Sequence, residues 1–298
     1  MEFFRTRLVE RHTTDTEVIE EQLPTDPLSH IIITMDAYNV TDEATLAEIL
    51  AFINNVQVTD HGQAIYDLQS EDMYGVQAYL QRRLPELTGR LATDKYNRSI
   101  TLIAQFGRRL FDPAECYPGR KAGDLQLRID TTVPATSWDN STISVDVVTL
   151  PGASPQNWLK QYRKAIAAPG ATGDSEIDLN RGNRLLCCQI RMTTVPTTSS
   201  HTYGIDQIAL LANNKELQLA SSDMMCLAGE RALRIGNPET SIAAQGLGRL
   251  NNIFWLDFDP NSNSEFAIDT SQYGRVHLKA TYGVNEAQSL SFVELCAA

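Results

Sequence analysis

The sequence lacks long hydrophobic runs and any excess of positive charge. Its longest apolar stretches, such as Leu185 to Cys188, are far too short to cross a bilayer. The 298 residues include 37 acidic and 25 basic side chains, which gives a net charge of −12. A protein whose main task is to hold nucleic acid is expected to be basic, so we expect no specific nucleic-acid partner. Hydrophobic residues make up 42% and charged residues 21%, which indicates a folded chain rather than a disordered one.

Cysteine is sparse and forms no CxxC pair. The five cysteines are Cys116, Cys187, Cys188, Cys226 and Cys296. Adjacent Cys187 and Cys188 point to opposite faces of a strand, which argues against a shared metal site. The N-terminus has no apolar segment of the kind found in secretory signals. We therefore expect reduced cysteines in a chain that is synthesised in a cytosol.

The common catalytic and cofactor motifs are absent as well. There is no GxSxG elbow, no HExxH pair and no phosphate-binding glycine loop. The histidines are scattered, without the HxH pair of a cupin-type metal site: His12, His30, His61, His201 and His277. His277 falls on the polar face of a predicted strand, where we expect a solvated or interface residue. The sequence therefore predicts no catalytic residue, no cofactor-binding residue and no metal ligand.

One polar stretch, 257–265, is comparable with a calcium loop. Its alternating oxygen-bearing side chains are Asp257, Asp259 and Asn261. However, the glycine expected at the sixth position is Ser262, and the glutamate expected at the twelfth is Ile268. A polar turn that ends a strand is the preferred interpretation, and calcium binding is the alternative.

The clearest positive signal is an internal repeat. The segment from Arg275 to Thr281 alternates apolar with charged or polar residues, as a strand covered on one face does, and so does the segment from Asp124 to Asp130. Neighbouring segments match in the same order. They are Ile31, Ile33, Met35 and Ala37 with Leu186, Cys188, Ile190 and Met192; Ile53, Val56 and Val58 with Ile205, Ile208 and Leu210; 68–73 with 219–224; 111–113 with 258–260; and Val145 and Val147 with Val293 and Leu295. A repeat of about 150 residues is too long for a solenoid unit and indicates a duplicated domain.

Local patterns predict mostly strands with a few short helices. Residues 29–40 alternate as a strand, and Thr41 is expected to cap a short helix with an apolar stripe over 46–53. The sequence Asp60-His61-Gly62 predicts a hairpin turn between two strands. Ser70 is expected to cap a second helix.

These patterns favour an all-β chain of two tandem jelly-roll β-sandwiches, a double jelly roll with short helices in the connections. The predicted boundaries are 1–16 for an N-terminal arm, 17–152 for jelly roll 1, 153–182 for a connection and 183–298 for jelly roll 2. The arm is basic and partly apolar, and the alternative interpretation for it is a frayed terminus or a first strand. The connection contains Trp158, Tyr162 and Ile166 at helical spacing, although a strand fits its middle equally well.

Several stretches together carry a resemblance to a known family. They are the opening strand and short helix (31–53), the hairpin that runs into a capped helix (56–84), the Phe-Asp-Pro turns at Phe111 and Phe258, and the Leu-x-Leu-x-Ile strand at Leu125. With these, the chain resembles the double jelly-roll major capsid proteins of tailless icosahedral viruses. It is most similar to the compact examples from small bacteriophages with an internal membrane.

The resemblance implies a structural protein of the virion and not an enzyme. Such a major capsid subunit would assemble as a homotrimer whose six jelly rolls form a pseudo-hexameric tile of an icosahedral shell. Its partners would be neighbouring capsomers and, through the N-terminal arm, the internal membrane or minor capsid proteins. It would be synthesised in the host cytoplasm and located in the capsid.

The alternative is a carbohydrate-binding or receptor-binding protein of two β-sandwich domains, because Trp158 and Trp255 offer rings on which sugars stack. Trp255 is flanked by Phe254 and Leu256, which favours its burial. A minor capsid protein is a nearer variant of the capsid interpretation. An enzyme is the third class, and no motif in the sequence supports it.

Overall fold

The computed structural model describes residues 2–40, 44–88, 96–193, 203–217, 221–235 and 252–298. Three sequence-based expectations fall outside these ranges: the helix cap at Thr41, the histidine at position 201, and the repeat match at Leu219 and Ala220. The described residues form β-sheets with three short α-helices between strands, which confirms the all-β prediction.

The chain divides into two compact units. Unit 1 comprises Met1–Tyr162 together with Cys296–Ala298, and unit 2 comprises Arg163–Leu295. The division lies inside the predicted connection, 153–182. The domain boundaries given above stay predictions.

Unit 1 is a sandwich of two sheets, each built on four antiparallel strands, and residues 161–162 pair in parallel with residues 66–67 of the second sheet. Its strands are β1 (Phe4–His12), β2 (Val18–Gln22), β3 (Leu28–Asn39), β4 (Ile53–Asp60), β5 (Gln63–Leu68), β6 (Asn97–Gln105), β7 (Leu125–Thr131) and β8 (Trp138–Thr149). One sheet has the order β1-β8-β3-β6 and the other the order β2-β7-β4-β5. Strands that follow one another in the chain mostly alternate between the two sheets. This is the strand order of an eight-stranded jelly roll.

The core of unit 1 lies between the two sheets. Alternate residues of β3, such as Ile31 and Ile33, face alternate residues of the second sheet, such as Val56 and Leu127, and all are fully buried. This pattern follows from the two-residue period of a strand, which places every second side chain on the same face. The alternation predicted for β3 is therefore confirmed.

The N-terminal segment 1–16 contains β1, the edge strand of the first sheet. Phe4 to His12 pair in antiparallel register with Thr149 to Thr142 of β8. The first-strand interpretation therefore describes these residues, and the backbone of this segment is held in the sandwich rather than extending from it. Pairing with β1 is favourable because it satisfies the backbone N–H and C=O groups that would otherwise be unpaired along the edge of β8.

Unit 2 repeats this arrangement. Its strands are β9 (Asn157–Ile166, which crosses the division), β10 (Gly173–Asp178), β11 (Arg184–Met192), β12 (Ile205–Ala212), β13 (Lys215–Glu216), β14 (Ser222–Asp223), β15 (Ile253–Asp257), β16 (Ile268–Asp269), β17 (Val276–Tyr282) and β18 (Gln288–Ala297). One sheet has the order β15-β11-β18, with β16 also paired to β11 and the second half of β9 beside β18. The other has the order β10-β17-β12-β13, with β14 also paired to β12.

Matched sequences lie on equivalent strands of the two units. The alternating segments that define the repeat are on β7, which lies between β2 and β4, and on β17, which lies between β10 and β12. The first matched set lies on β3 and β11, which are both interior strands. The duplicated sandwich is therefore confirmed. Residues 157–166 are strand β9, so the helical interpretation of the connection is wrong.

The first two helices do not have the cap residues that the sequence predicted. In α1 (Leu46–Ala51) the cap is Thr45, whose side chain accepts a hydrogen bond from the Glu48 N–H while the Glu48 carboxylate accepts one from the Thr45 N–H at 2.7 Å. Ser70 is the first residue of α2 (Ser70–Gln81), and its hydroxyl donates to the carbonyl of Leu50 in α1. Ser70 therefore ties the two helices together and does not cap the second.

Candidate functional site

The arginines of the N-terminal strand are paired within unit 1. Arg5 and Arg7 both bind the carboxylate of Asp146 on β8, and Arg5 Nε donates to Asp146 Oδ2 at 2.9 Å. Arg11 lies 3.5 Å from the carboxylate of Glu17. Burial alone would raise the pKa of Asp146, but the hydrogen bonds from Arg7 and Arg5 outweigh it and hold that pKa below its ordinary value. These basic side chains therefore stabilise the edge of the sheet.

Two phenylalanines form an exposed pair at one end of unit 1. The rings of Phe3 and Phe111 are 5.1 Å apart between centroids in an edge-to-face arrangement. Phe3 is 58% exposed and Phe111 is 45% exposed. Phe111 has a φ of +64°, and its N–H donates to Ser29 Oγ at 3.0 Å. A bulky residue is uncommon in this left-handed conformation, so the turn holds the ring outward at a cost in backbone energy. We call Phe3 and Phe111 the aromatic surface.

The equivalent end of unit 2 contains a groove of about 410 Å³. Its wall includes Phe258, which is the repeat counterpart of Phe111 but is only 4% exposed. The groove is lined by Leu227 and Glu230 of α3 (Met224–Ile235), by Leu256, Asp257 and Phe258, and by Pro260 and Phe266. We call it the α3 groove. Phe266 is 45% exposed, so the groove presents an aromatic ring to solvent.

The stretch compared with a calcium loop folds as a polar turn. Asp259 Oδ1 accepts hydrogen bonds from the N–H groups of Asn263 and Ser264, at 3.0 and 2.7 Å. Asp257 Oδ1 accepts the N–H of Asp259 at 3.0 Å, and Arg234 binds the other oxygen of Asp257. The carboxylates are thus directed at backbone donors and an arginine. Across the described ranges, no group of three or more histidine, cysteine or acidic side chains is placed to hold a metal ion.

The described histidines lie in different environments and do not converge. His12 is exposed, and His61 lies between Asp60 and Asp124, with Nδ1 2.7 Å from Asp60 Oδ1. His30 is buried beside Phe111, and burial, together with the charge of Arg5, lowers its pKa to about 4. His277 is only 1% exposed, so the expectation of a solvated residue is wrong. His277 lies on the interior strand β17, opposite Asp178 of β10 and Leu211 of β12, so a paired strand flanks it on each side.

A network that the sequence did not reveal centres on Asp60. Tyr117 donates a hydrogen bond to Asp60 Oδ2 at 2.5 Å, and Arg120 Nε donates to the same oxygen at 2.7 Å. Trp158 packs edge-on against the Tyr117 ring at 4.8 Å, and its Nε1 donates to the carbonyl of Ala297. The contacts join residues that are far apart in the chain, and no local pattern signals them.

None of the helices within the described residues has the length and hydrophobicity needed to cross a membrane.

Two equivalent eight-stranded sandwiches in one chain define a double jelly-roll protein. Its fold is that of the major capsid proteins of icosahedral viruses, which confirms the resemblance found in the sequence. No family model and no curated protein matches the chain.

Solved structures match the chain over nearly its whole length. The major capsid protein of Sulfolobus turreted icosahedral virus has a TM-score of 0.74 at 10% identity, covering 99% of this chain and 97% of that chain. The major capsid protein of bacteriophage PM2 has a TM-score of 0.67 at 12% identity, covering 100% and 98%. The Faustovirus major capsid protein has a TM-score of 0.56 at 8% identity, covering 100% and 89%. At these identities the likeness is one of fold.

Proposed function

We propose that this protein is a viral major capsid subunit that assembles into an icosahedral shell. The observation that carries the proposal is the repetition of one jelly-roll strand order in both units of a chain that spans nearly the full length of two capsid proteins, with 97% and 98% of each covered. The protein's role is structural, its location is the virion, and its synthesis takes place in the host cytoplasm.

The assembly unit is a trimer. Three chains with two equivalent rolls each provide six similar blocks, which close into a pseudo-hexagonal tile under threefold symmetry. Interfaces between obligate subunits of this kind typically bury more than about 2,000 Å² in total.

The partners of the N-terminal segment are neighbouring subunits or minor capsid proteins rather than the internal membrane. Arg5 and Arg7 are already paired with Asp146, and Arg11 faces Glu17. Little unpaired positive charge is therefore left on this strand for an anionic lipid surface.

The carbohydrate-binding alternative loses its main support. Trp255 is buried in unit 2, where its Nε1 donates to Gln189 Oε1 at 3.2 Å. Trp158 is partly covered by its contact with Tyr117. Neither ring lines the α3 groove.

The test is the assembly state of the purified full-length chain. Multi-angle light scattering is expected to give a trimer, and negative-stain microscopy is expected to show hexagonal tiles or shells at high concentration. A stable monomer that forms neither trimers nor tiles, with glycan binding detected on an array, would establish the alternative instead.

A further inference from the structure

We propose that the aromatic surface of one copy packs into the α3 groove of the next copy in the ring, so that these two sites form the repeated contact of the trimer. This inference rests on the proposed function and names the partner of a specific surface: a second copy of this chain.

Comparison of the two repeats shows how the two sites differ. The turns at Phe111 and Phe258 have the same Phe-Asp-Pro sequence and follow equivalent strands, β6 and β15. In unit 2 the phenylalanine is 4% exposed in the wall of a groove, whereas in unit 1 it is 45% exposed and packs edge-to-face against Phe3. Unit 1 thus presents a ring outward at the position where unit 2 has a concave apolar site.

The two sites lie at corresponding ends of their own rolls. In unit 1, the chain leaving β6 bonds to the start of β3, where the Phe106 N–H donates to the Ser29 carbonyl at 3.0 Å. In unit 2, the chain leaving β15 bonds to the start of β11, where the Phe258 N–H donates to the Leu186 carbonyl at 2.8 Å. The aromatic surface and the α3 groove therefore occupy equivalent positions in the two repeats.

An exposed charge beside each site has the sign opposite to one at the other site. Arg109, two residues before Phe111, is exposed, and so is Glu230 in the lining of the α3 groove. Neither takes part in an ion pair within the described parts of the chain. Contact between them across an interface would pair both charges and fix the register of the two subunits.

Ring closure requires two different complementary surfaces on each subunit. A cyclic trimer is built from head-to-tail contacts, in which one patch of each copy meets a different patch of the next. A pair of exposed aromatic rings on unit 1 and an apolar groove of about 410 Å³ on unit 2 meet that requirement. Aromatic anchors that fill a pocket commonly contribute most of the binding energy of an interface.

The experiment exchanges the two charges in the full-length chain. R109E and E230R are each expected to weaken trimerisation by about tenfold in apparent dissociation constant, measured by mass photometry over a dilution series. The double variant R109E/E230R is expected to recover most of the loss, which a folding defect would not do. R83E changes another exposed arginine of unit 1 and serves as the matched control, with no change in trimerisation expected.

Photo-crosslinking identifies the occupant directly. With p-benzoylphenylalanine in place of Phe3, crosslinks are expected between copies, at the 227–230 segment or at Phe266. Crosslinks to unit 1 of another copy would overturn the inference. The inference would also be overturned by membrane binding through the aromatic surface. In that case the wild type floats with phosphatidylcholine–phosphatidylglycerol vesicles, whereas F3S/F111S remains a trimer but no longer floats. If the wild type is a trimer and R109E and E230R trimerise equally well, only this inference is overturned. If the wild type is a monomer, the proposed function itself is overturned.

Discussion

The phenolic oxygen of Tyr117 lies 2.5 Å from Oδ2 of Asp60, which joins the long loop after β6 to the hairpin turn between β4 and β5. Burial alone would raise the pKa of Asp60, but hydrogen bonds from Tyr117, Arg120 and His61 outweigh it and hold that pKa below its ordinary value. The tyrosine therefore donates to an ionised carboxylate, which is a stronger contact than one between neutral groups.

Replacing Tyr117 by phenylalanine removes this donor and keeps the ring. We expect Y117F to lower the free energy of unfolding by about 1–2 kcal/mol, because Arg120 still pairs with Asp60 and limits the loss. The measurement is urea unfolding followed by tryptophan fluorescence. Y38F, which alters an exposed tyrosine of the same unit, is the control and should change little. Equal stability of Y117F and the wild type would contradict the role given to this contact.

The capping of α1 can be tested against the sequence-based prediction. T45A removes the side chain that accepts the Glu48 N–H, and we expect it to cost about 1 kcal/mol in the free energy of unfolding. The matched substitution T41A alters the residue that the sequence pattern favoured as the cap. If T41A were the more destabilising of the two in urea unfolding, the assignment of the cap to Thr45 would be wrong.

The strands and their grouping into two similar sandwiches could be predicted from the sequence because side chains on a strand alternate with a period of two. The alternating apolar residues of β3 and β11 indicate which face of each strand is buried, and the repetition of the pattern indicates that the domain is duplicated. The features that could not be predicted depend on contacts between segments that are distant in the sequence. Neither the burial of His277 nor the Tyr117–Asp60 bond has a local signal. The phenylalanine of the same Phe-Asp-Pro tripeptide is exposed at one site and buried at the other.

Reaction with a thiol reagent should distinguish one cysteine from the other four. Cys226 on α3 is exposed, whereas Cys116, Cys187, Cys188 and Cys296 are buried and all five are free. Burial, together with the charge of Asp112, raises the pKa of Cys116 to about 11, which further lowers its thiolate fraction at neutral pH. We expect one fast-reacting thiol per native chain in an Ellman titration, and none in C226S. Two or more fast thiols in C226S would show that the buried cysteines are accessible.

His30 should make the stability of unit 1 depend on pH between its two pKa values. Burial and the charge of Arg5 lower the pKa of His30 from 6.5 to about 4, so the folded state binds its proton less readily than the unfolded state. The contribution of neutral His30 to the free energy of unfolding is therefore present above pH 6.5. It is lost as the pH falls towards 4, and the loss amounts to up to about 3 kcal/mol. We expect the free energy of unfolding, measured in urea at intervals from pH 8 to pH 4, to decline over that window. In H30Q the decline should be shallower, because glutamine does not titrate. An identical slope in H30Q and the wild type would mean that the protonation of His30 is not its source.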